Sequence, residues 1–161
     1  MNEHDMNMSN QLVVFALDEQ RYALHLSAVE RIVRVAEVTP LPKAPEIVLG
    51  VINVQGQIIP VADIRRRFRL PEREIDLSDH LIIAHTPNRT VALVVDEVTG
   101  VIESPEQKLI PAKEILPGTD YVEGVMKLED GLILIHDLAT FLSLEEENTL
   151  DLALKTRKGQ K

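Results

Sequence analysis

The sequence predicts a mainly β protein: two small β units related by an internal repeat, joined by short helical turns. Three observations predict it. Apolar runs are of strand length and end in tight turns, prolines gather in two connectors, and one order of strands occurs twice. Residues 81–98 lie over 12–29 without gaps at an offset of 69, and residues 124–138 lie over 50–64 at an offset of 74. Ala92 then falls on Ala23, Leu93 on Leu24, Gly124 on Gly50 and Asp137 on Asp63. The two offsets differ by five residues, which places the extra length in the second proline-rich connector, where it costs little. Two such halves, each small for an independent core, would pack on one another and leave a groove between them.

In chain order, residues 1–10 are polar and read as a disordered start. Leu12 to Leu17 and Tyr22 to Leu26 form a hairpin about Asp18 and Glu19. Ser27 stands three before Glu30, the spacing of a capping box, so a helical turn is expected over residues 28–32. Pro40, Pro42 and Pro45 make residues 37–46 an extended connector. Residues 50–64 form a second hairpin with a tight Gln55-Gly56-Gln57 turn at its tip, and Asp63 caps the basic turn that follows. A charged loop spans 71–79, the second copy of the pattern follows, and residues 103–123 carry Pro105, Pro111 and Pro117. Ser143 and Glu146 open a terminal helix with acids first and Lys155, Arg157 and Lys158 last. The expected division is therefore a first subdomain over 11–77, a second over 78–144, and a helix with a basic tail over 145–161.

Composition narrows the function. The apolar fraction is 45%, which excludes disorder for most of the 161 residues. Seventeen basic against 26 acidic residues give a net charge of −9, which repels phosphate backbones. The aromatic residues Phe15, Tyr22, Phe68, Tyr121 and Phe141 are too few for a base-stacking platform. With no cysteine there is no thiolate metal site and no thiol nucleophile, which fits a reducing cytosol. The start has no apolar core of a secretion signal, and no apolar run approaches membrane-spanning length. A soluble, cytoplasmic protein is expected, with no nucleic-acid partner and no insertion into a membrane.

Catalytic and metal chemistry find little support. The five histidines form no i,i+4 pair and have no carboxylate at metal-ligand spacing, so no metal site is expected. No serine sits in a nucleophile elbow, and Gly50 and Gly56 form no phosphate loop. Asp63, Asp96 and Asp137 fit caps better than paired catalytic carboxylates. No catalytic residue and no cofactor are expected. The cluster Arg65, Arg66, Arg67 stands out from the acidic background as either a solvated helical face or a docking patch for an acidic partner.

Taken together, Phe15-Ala16-Leu17, Tyr22-Ala23-Leu24, Val29-Glu30-Arg31-Ile32, the run from Gly50 to Arg65, and Val94-Val95-Asp96-Glu97-Val98 form a linked series. Over residues 11–144 this series resembles the CheW-like family of bacterial chemosensory coupling proteins. The resemblance implies two SH3-like five-stranded β-barrel subdomains around an apolar seam. It implies a non-enzymatic adaptor that joins methyl-accepting receptor tips to the regulatory domain of the histidine kinase CheA, at membrane-associated arrays reached through those partners. It also implies a receptor-binding groove lined by Val29, Ile32, Gly50, Asn53, Gln55, Gly56, Val98 and Val101. The family commonly has arginine where this chain has Gln55, and glutamine keeps donors but loses charge and fork geometry. The alternative from the residues alone is a small-barrel domain binding a ligand or nucleic acid.

Overall fold

The computed structural model describes residues 11–35, 37–103, 109–111 and 121–159. The expectations for residues 1–10, for most of the second connector and for the end of the basic tail lie outside the described residues. The strands are β1 (Gln11–Leu17), β2 (Gln20–His25), β3 (Val29–Arg34), β4 (Val48–Val54), β5 (Gln57–Ala62), β6 (His80–His85), β7 (Thr90–Val95), β8 (Glu97–Glu103), β9 (Leu109–Pro111), β10 (Val122–Leu128) and β11 (Gly131–His136). The helices are α1 (Ile64–Arg67) and α2 (Leu144–Gly159).

The strands form two sheets, ordered β8-β1-β2-β11-β10-β9 and β3-β6-β7-β5-β4. The repeat maps one order onto the other, with the short β9 matched by an isolated bridge between Thr39 and Val51. The registers follow the sequence offsets. Val14 pairs with Ala23 as Ile83 pairs with Ala92, and the parallel pair Ile135 with Ala23 matches Val61 with Ala92. The bulges repeat too, between Val48 and Gly50 and between Val122 and Gly124. A duplicated sequence pattern has therefore become a duplicated backbone.

The halves do not lie side by side as the division at 77 and 78 expected. Hairpin β1-β2 pairs with β11 and β8 of the second half, while β6-β7 pairs with β5 and β3 of the first. Each sheet is built from both copies. The physical reason lies in the strands, whose two faces are both apolar and need burial on both sides. Leu12 and Val14 point into one sheet's own core with Ala23, Met126, Ile133 and Ile135. Leu81 and Ile83 enter the other with Ile52, Ile59, Val61 and Ala92. The intervening Phe15, Leu17, Ile82 and Ala84 meet in a seam shared by both sheets. Burying each of the larger apolar side chains among them is worth about 1.5–3 kcal/mol, so exchanging hairpins makes separation of the units costly.

Three local expectations fail. Residues 29–34 form strand β3 rather than a helical turn, preceded only by a 3-10 turn at Leu26–Ala28 that lacks a side-chain cap. Pairing with β6 and the branched side chains outweigh the Ser27 and Glu30 spacing. Asp96 caps no helix, because β8 begins at Glu97. Asp137 accepts from the Ala139 amide at 2.9 Å, but a turn and not a helix follows it. The caps at Asp63 and Ser143 form. Asp63 accepts from the Arg65 amide at 3.1 Å, and at α2 the Glu146 amide donates to Ser143 Oγ at 3.1 Å while the Ser143 amide donates to Glu146 Oε1 at 2.9 Å. Helix α2 then lays Leu150 and Ala153 over the seam. Ion pairs from Arg67 to Glu146 and from Arg89 to Glu147 hold it there.

Candidate partner-binding site

The site begins with two edge strands. β3 closes one sheet and β8 the other, and the repeat makes them equivalent. Both alternate half-buried and exposed residues. Val29 and Val98 pack against the shared seam, while their neighbours Ile32 and Val101 stand 40% and 51% exposed. Strand sterics explain why: with a period of two, one face of an edge strand covers the core and the other faces solvent. The same symmetry governs a second pair that sequence reasoning missed. Ile58 on β5 and Leu132 on β11 are 40% and 38% exposed and lie at the 74-residue offset. Isolated exposed aliphatics are ordinary, but exposure repeated at corresponding positions of both copies marks surface.

The β4-β5 hairpin supplies the polar part. Gln55 and Gly56 occupy the two-residue tip with φ of 52° and 88°, the backbone of a primed hairpin turn. The Gly56 amide donates to Asn53 Oδ1 at 2.8 Å, fixing the tip while Gln55 remains exposed. Beside it a recess of about 160 Å³ is lined by Glu30 and Arg31 of β3 together with Gln55 and Gln57. The structure thus brings Gln55 together with β3, whereas Val98 and Val101 stand on the other sheet.

Gly50 departs from expectation. It is buried rather than groove-lining, because a Cβ there would lie 2.3 Å from the Thr39 carbonyl oxygen. Its missing side chain admits the connector backbone, and the Thr39 and Val51 amides exchange hydrogen bonds of 2.9 and 2.8 Å across it.

The arginine cluster is neither a solvated face nor a free docking patch. Arg65 is 5% exposed, and its guanidinium donates to Asp18 at 2.9 Å, to Asp96 at 2.8 Å and to the Pro71 carbonyl at 3.2 Å. Arg73 joins Asp96 to Asp79. Arg67 donates to the Phe141 carbonyl at 2.7 Å and lies 5.0 Å over the Tyr121 ring. Arg66 alone stays at the surface, among Glu46, Asp63 and Glu72. Burial pushes the Asp96 carboxyl up, but hydrogen bonds from Arg65, the Asp18 amide and Arg73 outweigh it and hold it below the usual range. The acids were visible in the sequence, but no local pattern pairs Arg65 with partners 47 and 31 positions away.

His136 is the most deeply buried ionisable group among the described residues. Its ring meets Phe68 and Phe141 edge-on at 5.1 and 5.4 Å, and neither ring nitrogen has a hydrogen-bond partner. Burial, with Arg67 nearby, lowers its pKa to about 3, so it is neutral at physiological pH. Among the described residues no group of three or more histidines and carboxylates could hold a metal ion. Likewise no described helix is long and apolar enough to cross a membrane.

Comparison with known proteins agrees with this architecture. The family model described as CheW-like domain matches residues 11–146. A chemotaxis protein CheW from Rhizobium meliloti is 28% identical over 89% of this chain and 94% of its own length. Its counterpart from Bacillus subtilis is 30% identical over 90% and 94%. The crystal structure of the scaffolding protein TtCheW from Thermoanaerobacter tengcongensis aligns with a TM-score of 0.78 at 32% identity, covering 86% of this chain and 96% of that one. Two exchanged sheets about one seam, the matching sequence span and the shared backbone lead to one conclusion: this chain belongs to the CheW-like domain family.

Proposed function

We propose that the protein is a non-enzymatic adaptor of a bacterial chemosensory array, coupling methyl-accepting receptors to the histidine kinase CheA. The observation that carries this reading is the pair of equivalent edge strands, each presenting an exposed aliphatic residue, Ile32 or Val101, beside a half-buried valine at the seam. Exposed aliphatic positions on edge strands suit a helical hairpin, whose apolar side chains repeat every three or four residues and need an apolar surface with a polar rim. Asn53, Gln55 and Gly56 supply that rim at the hairpin tip. Gln55 reads a receptor by neutral hydrogen bonds rather than by a charged fork, which favours polar over carboxylate contacts. The kinase's regulatory domain would meet loops and strand ends elsewhere on the two sheets. The protein would work in the cytoplasm and reach the membrane through its receptors.

The test is binding of the purified protein to a receptor signalling-tip hairpin and to the CheA regulatory domain, each measured by calorimetry. Saturable binding to both is expected. Failure to bind either overturns the proposal.

A further inference from the structure

A cleft of about 400 Å³ lies where the turn after β2, the β6-β7 turn and the segment after β11 converge. The repeat says what occupies the corresponding place in the other half. Ala139 corresponds to Arg65, Pro87 to Asp18 and Ser27 to Asp96. All three of these small or neutral residues line the cleft. Where one half is filled by a buried guanidinium between two aspartates, the other has lost the arginine side chain and both aspartates together, and space remains.

The walls changed with the contents. Glu123 and His136 stand where the filled half has Leu49 and Ala62, and Asp137 keeps the place of Asp63. Glu123 holds His25 Nε2 at 3.0 Å with its side chain half exposed. The Asp137 carboxylate accepts from the Ala139 amide at 2.9 Å, which fixes it at the cleft. His136 lines the cleft while almost wholly buried, with both ring nitrogens unpartnered.

We propose that this cleft is a socket for one arginine side chain carried on the surface of a partner protein. The Glu123 and Asp137 carboxylates and the Ser27 hydroxyl are acceptors for several N–H groups of a planar guanidinium. His136, held between Phe68 and Phe141, borders the cleft without adding charge. The net charge of −9 draws a cation in, and the cleft has the place that Arg65 and its partners fill in the other copy. Lysine, a point charge without the fork, fits less well. The socket shares no residue with the receptor-facing surface and does not depend on it.

The experiment is an amide NMR titration of the full chain with N-acetyl-arginine methylamide and with the lysine analogue. Saturable shifts confined to residues 24–28, 85–86, 123 and 136–139 are expected with the arginine compound, and weaker ones with lysine. Ala139→Arg, which fills the space from within, should abolish the response. Glu123→Gln, at a half-exposed site that does not threaten folding, should weaken it about tenfold. No saturable shift, an equal response to lysine, or an unchanged affinity in Glu123→Gln overturns the proposal.

Discussion

Replacing Arg65 by methionine keeps most of its volume and removes its charge, leaving Asp18 and Asp96 without their shared partner. Breaking a buried ion pair in this way costs about 3–5 kcal/mol. The lower end applies, because Asp18 has 44% side-chain exposure and can be solvated, while Asp96 retains Arg73. A loss of about 3 kcal/mol is therefore expected at pH 7, or about 6–12 °C in melting temperature for a chain of this size. The pH dependence provides a second signature. A carboxyl whose pKa is depressed on folding stabilises fully above its unfolded value of about 3.9, and that stability is lost as pH falls through the folded value. Asp96 is such a group. Urea unfolding from pH 7 downward should show a steeper acid loss in the natural protein than in Arg65→Met. A variant within about 0.5 kcal/mol of the natural protein, the range of ordinary surface substitutions, would refute the buried network and return Arg65 to a docking role.

Two further perturbations separate backbone from side-chain effects. Gly50→Ala drives a methyl against the Thr39 carbonyl at 2.3 Å and should cost at least about 3 kcal/mol in urea unfolding, whereas Gly56→Ala meets nothing within 4 Å and should cost only the left-handed backbone term of about 1–2 kcal/mol. His136 is neutral when folded and protonates near pH 6.5 when unfolded, so stability is greatest above that value and falls as pH drops toward about 3. The loss through this group should reach about 2 kcal/mol between pH 8 and pH 5, and His136→Phe, which keeps the ring stack, should abolish that share.

Much of the fold was legible because a repeat carries information at two places at once. Offsets read from apolar runs, glycines and caps reproduce the paired registers and bulges of both sheets. The exchange of hairpins was not legible, since a strand apolar on both faces is compatible with pairing to either copy. Its hint was the unbroken apolar character of residues 81–84 and 91–95, which demands burial on both sides. Local capping spacing succeeded at Asp63 and Ser143, where a helix follows. It failed at Ser27, where the branched residues of β3 find a partner strand. The arginine cluster misled because clustering in sequence says nothing about burial: Arg65 and Arg67 turn inward to acids and carbonyls far along the chain, and only Arg66 stays outside. Of the surface residues, Ile32 and Val101 are exposed as a groove needs. Gly50 serves the backbone, and Ile58 and Leu132 became visible only once exposure could be compared between copies.

In the proposed function, equivalent edges of two exchanged sheets receive a receptor tip while the kinase is bound elsewhere. Calorimetry of Ile32→Asp and Val101→Asp against both partners addresses it most directly. Each substitution places a charge where an aliphatic contact is needed and should weaken receptor-tip binding at least about tenfold, a 1.4 kcal/mol change, while kinase binding stays within about twofold. Unchanged receptor binding in both variants, or equal losses toward both partners, would show that these edges do not receive the receptor.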